Sequence, residues 1–327
     1  MPTAPAKRKT QYPAAADIFP YGSLLDIERL SVEDISSLLA ETRQMDAARA
    51  NKEARRKLGN QFSGKRVALL FYEASTRTRV SFEYASKTLG AMTTIVSAAY
   101  SSIEKGESLL DTGYTLKALG TDVIVMRHPS SGAPHLLAEK LGAPVINAGD
   151  GMHEHPTQAL LDAYTILRHR PSLKGLRIAL VGDIFHSRVA RSNIHLLSKF
   201  GAKIVLCGPP ALLPEVAGTL ADGLTIERDL NQALRDADVV MMLRVQKERL
   251  SGLNLDPHEY VAKYQLSAER LQRARLGALV MHPGPMVRGM EITAEVADGA
   301  RSLVVEQVAN GVPVRMAVLA RALRGRP

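Results

Sequence analysis

Five consecutive residues, Ser75-Thr76-Arg77-Thr78-Arg79, put three hydroxyls and two guanidinium groups within one short turn of chain. They follow an apolar run of strand type, Arg66–Tyr72. They also open a segment, Thr78–Leu89, whose Phe82, Ala85 and Leu89 share one helical face before Gly90 ends it. A strand-to-helix turn of this kind points unsatisfied first-turn amides and the positive end of the helix dipole at whatever sits there, and Arg77 adds a cation that pairs well with phosphate. The turn has no glycine and no lysine in P-loop spacing, so it is not a nucleotide loop. A plainer reading, a Ser/Thr N-cap followed by surface arginines, explains less of the clustering. Arg79 stands apart from the others, because a helical neighbour can simply brace the turn.

Three further strand ends carry residues of matching chemistry. Asp122–Met126 runs into Arg127-His128-Pro129. The segment from Val145 to Gly151 leads to His153-Glu-His-Pro-Thr-Gln158, and Ala278–Met281 leads to His282-Pro-Gly-Pro285. Ligands of open parallel sheets sit beyond the carboxyl ends of the strands, which groups Arg127, His155, Gln158 and the Gly284-Pro285 backbone into one expected pocket. Taken singly, each is as readily a cap or turn residue; it is their coincidence that points to a site. His153 and His155 resemble a zinc pair, but the chain has no His-Glu-x-x-His pattern and only one cysteine, and no metal is expected. Cys207 lies in the strand-like Lys203–Gly208 and reads as a small core residue.

The elements that must position these residues alternate strand, loop and helix, which argues for an α/β fold built on parallel sheets. A first helix is expected from Ser31 to Lys57, opened by the capping pattern Ser31-Val-Glu-Asp34. Strands follow at Arg66–Tyr72, Thr93–Val96, Asp122–Met126 and Pro144–Asn147, and a helix from Pro156 to about His169 closes this half. Pro171-Ser-Leu-Lys-Gly175 breaks the chain. A second set of strands then reads as Arg177–Gly182, Lys203–Cys207, Leu224–Glu227, Asp238–Leu243 and Ala278–Met281. The final helical stretch, Ser302–Arg324, is expected to be interrupted at Gly311-Val-Pro313. The expected fold is therefore α/β, with two similar domains, each a parallel-sheet α/β sandwich, joined by helices with the active site in the cleft. The expected limits are a flexible extension over 1–22, domains over 23–168 and 169–300, and a C-terminal helix over 301–327 packing back on the first domain.

Bulk composition excludes several classes. At 327 residues with 46% hydrophobic and 23% charged content, the chain reads as globular, and its apolar runs are too short to span a bilayer. No apolar core of signal-peptide length follows Lys7-Arg8-Lys9, which points to the cytoplasm. The net charge of +9 invites a nucleic-acid reading, but Lys7–Lys9, Arg55–Lys57 and Arg321, Arg324 and Arg326 supply much of it. With no tryptophan and 5% aromatic residues there are few stacking platforms, so a small anionic substrate fits better than nucleic acid.

The Ser75–Arg79 turn, His155-Pro-Thr-Gln158 and His282-Pro-Gly-Pro285 together resemble the aspartate/ornithine carbamoyltransferase family, over nearly all of the chain from about Ser23. Both branches share the first two motifs, so these imply carbamoyl phosphate but not the acceptor. Ser101-Ser-Ile-Glu-Lys-Gly-Glu107 resembles the mobile loop of the aspartate branch with its essential lysine, here Lys105, and Arg244-Val-Gln-Lys-Glu-Arg249 resembles that branch's aspartate-binding segment. The ornithine branch would show His-Cys-Leu-Pro where this chain has Pro283 after His282, and its Ser-Met-Gly loop is missing. The resemblance thus implies transfer of a carbamoyl group from carbamoyl phosphate to L-aspartate, without a cofactor.

By the same resemblance Ser75, Thr76, Arg77 and Thr78 hold the phosphate, while Arg127, His155 and Thr78 surround the carbonyl oxygen. Gln158 and the Gly284-Pro285 region meet the amino group. Arg188, Arg244 and Gln246 bind the aspartate carboxylates, the residues between Asp183 and Arg188 departing from the family pattern. Ser101 and Lys105 reach in from a neighbouring subunit of a homotrimer, which some relatives build into larger assemblies with regulatory or dihydroorotase-like chains.

Overall fold

The computed structural model describes residues 22–97, 106–245 and 255–325. Ser101, Lys105 and Gln246, and the N-terminal extension up to Tyr21, lie outside the described residues.

Two all-parallel sheets organise the chain. The first contains β1 (Arg66–Phe71), β2 (Met92–Ser97), β3 (Val123–His128) and β4 (Val145–Asp150) in the order β2-β1-β3-β4. The second contains β5 (Arg177–Val181), β6 (Lys203–Cys207), β7 (Thr225–Glu227), β8 (Val239–Met242) and β9 (Leu279–Met281) in the order β7-β6-β5-β8-β9. The central strands are continuous apolar runs, such as Val67–Phe71 and Ile178–Val181, because helices cover both faces of a parallel sheet. Cys207 ends β6, fully buried, and burial pushes its thiol up to about 12, as suits a core residue.

In the first domain α1 (Val32–Ala50), α2 (Lys52–Leu58), α3 (Thr76–Thr88), α4 (Leu109–Ala118) and α5 (Ala133–Leu141) flank the sheet. Helix α6 (Pro156–His169) crosses to the second domain, which adds α7 (Arg188–Lys199) and shorter helices before the C-terminal helix, Val304–Arg324. One apolar core runs without interruption from Leu69 and Val125 through α6 and the C-terminal helix to Ile178 and Leu180, so the domains share a packed spine; two separate cores cover the outer sheet faces.

Two helix boundaries differ from the sequence expectation. The expected single helix from Ser31 to Lys57 is divided at Asn51, whose side chain accepts from the Glu53 and Ala54 amides at 3.0 Å each and so caps α2. An Asn N-cap here competes with continuation of the helix. The C-terminal helix runs unbroken through Gly311 and Pro313. Proline inside a helix removes one hydrogen bond and costs about 3 kcal/mol, but burial of Val314 and of every residue from Met316 to Ala320 offsets the loss. Gly311 serves packing: a Cβ there would stand 2.3 Å from Arg315 Nη1.

Candidate active site

In each sheet the chain changes direction once. That switch lies between β1 and β3 in the first sheet and between β5 and β8 in the second. Crevices open beyond the carboxyl ends of strands at such points. Here both switch points border one cavity of about 740 Å³. The β1 and β3 ends contribute Glu73, the Ser75–Thr78 turn and Arg127; the β5 and β8 ends contribute Asp183, Arg188 and Arg244. His155 and Gln158 enter from the start of α6, and Pro283, Gly284 and Pro285 from the loop after β9.

Of the residues singled out from sequence, Ser75, Thr76, Arg77, Thr78, Arg127, His155, Gln158, Arg188, Arg244, Gly284 and Pro285 all line this cavity. Arg79 is not among the lining residues.

Ser75 is the N-cap of α3 but makes no side-chain capping bond, which leaves its hydroxyl and the first-turn amides to a ligand. Thr78 is buried one turn in. Gly284 has φ +69°, and a Cβ on it would lie 2.8 Å from Arg77 Cζ, so this backbone reaches the guanidinium only as glycine. The peptide bond from Gly284 to Pro285 is cis.

The Gly284-Pro285 loop is fixed from behind by His282, whose side chain is fully buried. Its Nδ1 accepts the Gly284 amide at 2.8 Å, which requires the proton on Nε2; that nitrogen donates to Glu291 Oε1 at 2.9 Å. Glu291 Oε1 also accepts the Val287 amide at 2.7 Å. Since Gly284 N–H is engaged and Pro283 and Pro285 have none, the loop offers the cavity carbonyl acceptors only.

A second network sets Gln158. Asp162 Oδ1 accepts from Gln158 Nε2 at 2.9 Å and from Gln307 Nε2 at 2.8 Å, and its Oδ2 accepts from Asn193 at 2.9 Å. One of the two Gln158 amide N–H groups is thereby committed, which orients the side chain, and its carbonyl accepts no hydrogen bond among the described residues. Gln307, on the C-terminal helix, accepts the His282 amide at 2.9 Å and joins the two networks. Burial pushes the Asp162 carboxyl up to about 6 despite the opposing hydrogen bonds from Asn193, Gln307 and Gln158.

The cavity is strongly cationic. Glu73 Oε2 lies 3.4 Å from Arg127 Nε and 2.8 Å from Arg188 Nη1, so one carboxylate spans two guanidiniums from different domains. Burial, then the charges of Arg188 and Arg77, bring Arg127 down to about 10 against the pull of Glu73. It remains a cation at neutral pH. Burial lowers Arg77 as well, with Arg244 adding repulsion. His155 is fully enclosed; burial, followed by Arg127, Arg315 and Arg188, holds it well below the ordinary imidazole value. It is a neutral ring, with a buried Nδ1 that has no hydrogen-bond partner among the described residues.

Sequence reading missed Glu73, Asp162, Gln307 and Arg315. Arg315 lines the cavity from the C-terminal helix, its Cζ 5.1 Å from the centre of the Phe82 ring, and burial brings it down to about 9. A buried arginine inside an apolar helix was the available signal, since such a charge needs a partner or a ligand.

Comparison with known proteins follows the same division. A family model described as aspartate/ornithine carbamoyltransferase, carbamoyl-P binding domain, matches residues 23–168, and one described as the Asp/Orn binding domain matches residues 174–322. The aspartate carbamoyltransferase catalytic subunit of Koribacter versatilis is 58% identical over 297 residues, covering 91% of this chain and 95% of that protein. That of Solibacter usitatus is 53% identical, with 92% and 98% covered. Among solved structures, aspartate transcarbamoylase from Trypanosoma cruzi in complex with carbamoyl aspartate and phosphate is 33% identical, with a TM-score of 0.81 over 91% of this chain and 95% of that one. Ornithine carbamoyltransferase from Pyrococcus furiosus has a TM-score of 0.82 at 27% identity, covering 94% and 99%. The backbone is thus common to both kinds of enzyme, and sequence separates them.

Proposed function

The chain belongs to the aspartate/ornithine carbamoyltransferase family, and on that premise we propose that it transfers the carbamoyl group of carbamoyl phosphate to the amino group of L-aspartate, giving N-carbamoyl-L-aspartate and phosphate. The observation that carries the reading is the convergence of an open helix N-terminus, five arginines and a wall of carbonyl acceptors on one cavity. Ser75, Thr76, Arg77 and Thr78 take the phosphate, where first-turn amides and a guanidinium suit a dianion. The Gln158 carbonyl and the carbonyls of the Gly284-Pro285 loop accept from the carbamoyl amino group.

Attack by the neutral aspartate amine on the carbonyl carbon moves negative charge onto the carbonyl oxygen. Arg127, the Thr78 hydroxyl and the single N–H of neutral His155 stabilise that oxygen, each donor of this kind being worth roughly 2.7–4 kcal/mol. Phosphate then departs with the C–O bond electrons and takes up the proton that the attacking nitrogen loses, which leaves a neutral carbamoyl group on aspartate. It is a good leaving group, so no covalent nucleophile is required. Arg188 and Arg244, with Gln246, hold the two carboxylates of aspartate, bidentate pairing being what guanidinium offers. The assigned domains are 23–168 for carbamoyl phosphate and 169–300 for aspartate, with the helix of 301–327 bridging them.

Ser101 and Lys105 complete each site from a neighbouring chain, so the active unit is a homotrimer, open to larger assembly with regulatory or dihydroorotase-like chains. A cytoplasmic location goes with a chain whose one cysteine is buried and unpaired. Purified protein given carbamoyl phosphate and aspartate should release phosphate and N-carbamoylaspartate, and should elute at the mass of three chains or a multiple of three. Turnover with ornithine but not aspartate would overturn the acceptor assignment, and a fully active monomer the shared site.

A further inference from the structure

Outside the residues that the transfer reaction uses, the start of α5 and the turn after β4 bring together a separate set of titratable groups. His135, the third residue of α5, Asp150, the last of β4, and His153, in the turn before α6, offer ligand atoms that all lie within 4.8 Å of one another. Hydrogen bonds determine which atoms are available. His135 Nε2 lies 2.9 Å from Asp26 Oδ2, and a carboxylate acceptor there keeps the ring proton on Nε2. That leaves His135 Nδ1 with its lone pair, and Nδ1 is buried without a hydrogen-bond partner among the described residues. An imidazole whose N–H is held by a carboxylate while the other nitrogen stays bare is the arrangement that supports metal ligation.

The spacing agrees. The His135 and His153 ring centres are 5.4 Å apart at an interplanar angle of 69°. Two imidazoles on one tetrahedral ion, at Zn–N distances of about 2.0–2.1 Å, place their centres roughly 5 Å apart. His153 Nδ1 lies 3.1 Å from Asp150 Oδ2, near the roughly 3.3 Å that separates neighbouring ligand atoms around such an ion. Asp150 is completely buried and oriented by the Gly132 amide and the Asn147 side chain, both at 2.7 Å, and by the Glu154 amide at 3.2 Å. Both histidines are partly exposed, so a fourth position can face water.

We propose that His135, Asp150 and His153 form a binding site for one divalent transition-metal ion of the zinc class, with Asp26 orienting His135 from behind. The ion takes the place of the proton now shared between His153 and Asp150. It ties the start of α5 to the turn just ahead of His155. The absence of a metal was expected from neighbours along the chain, His153 and His155, whereas the second imidazole arrives from another helix.

Full-length protein stripped with chelator, dialysed and titrated calorimetrically with Zn²⁺ should bind one ion per chain, and should not bind Mg²⁺ stoichiometrically. His135→Ala and His153→Ala should each weaken binding at least tenfold, and Asp26→Asn by about 10–100-fold, the usual cost of losing such a supporting carboxylate. Metal-free melting curves check that the variants fold. Wild-type protein loaded with Co²⁺ should show the intense visible absorption of tetrahedral coordination, a readout that needs no variant. Less than one Zn²⁺ per chain, equal binding by the His135→Ala/His153→Ala double variant, or a weak octahedral Co²⁺ spectrum would each overturn the proposal.

Discussion

The two walls of the cavity are built differently. On the first-domain side, Thr78, His155 and Gln158 are buried, sit in or at the first turn of helices, and are held by the shared spine or by the Asp162 network. On the second-domain side, Arg244 is exposed just past β8, and Arg188 is the first residue of α7, its guanidinium leaning on Glu73 of the opposite domain. A buried, cross-braced wall can hold a small substrate in one pose before anything else arrives. The exposed wall depends on contacts across the cleft, which suits a second substrate whose binding draws the domains together. In the proposed reaction this makes carbamoyl phosphate the ligand of the preformed wall and aspartate the ligand of the assembled one.

Exchanging arginines on opposite walls is the most direct way to break that contrast. Arg127→Ala removes the cation proposed to face the carbonyl oxygen, and kcat should fall about 10²–10³-fold. Arg244→Ala should act mainly through the KM for aspartate, with kcat within tenfold of wild type. Steady-state kinetics with both substrates varied decides it: if the two variants lose kcat alike, the walls do not divide the work.

A smaller effect is expected at Gly284. Alanine there must adopt a left-handed conformation, costing about 1–2 kcal/mol, and its methyl displaces the Arg77 guanidinium. Because the long Arg77 side chain can swing aside, the KM for carbamoyl phosphate should rise about tenfold, or about 1.4 kcal/mol, while the KM for aspartate stays put. A change confined to aspartate would place this loop with the wrong wall.

The same contrast explains what the sequence made legible. The Ser75–Thr78 turn, Arg127 and the His155–Gln158 segment announce themselves because the chemistry lies in consecutive residues at strand or helix ends. Glu73 bridges two arginines that are distant in the chain, and Gln307 and Arg315 are single polar residues on a helix whose neighbours are apolar. Only packing shows where such residues point. The break at Asn51 and the continuity through Pro313 were misread for a related reason: local propensity is weak beside a cap that competes and a core that compensates. Lys105 and Gln246, on which the choice of acceptor leans, lie in segments that resemblance alone assigned.

The smallest effect on turnover, less than tenfold at pH 7, is expected at Asp162, which nevertheless tests why the first wall is rigid. Its carboxyl ionises at about 6 in the folded chain against an ordinary 3.8, burial being the dominant cause. The folded state therefore holds the proton more tightly than the unfolded chain does. The stability this contributes is fully present below about pH 3.8 and is lost as pH rises through 6, amounting to about 3 kcal/mol. Asp162→Asn removes that slope, though its new amide faces the Asn193 donor and costs on the order of 1–3 kcal/mol at every pH. Urea unfolding at pH 4 and at pH 7.5 separates the two contributions, because the constant penalty cancels in the difference. Relative to wild type, the variant should gain about 2–3 kcal/mol between the two values. Parallel profiles would mean that Asp162 ionises in the folded chain at the same pH as in the unfolded one, its hydrogen bonds from Gln158, Gln307 and Asn193 offsetting the cost of burial.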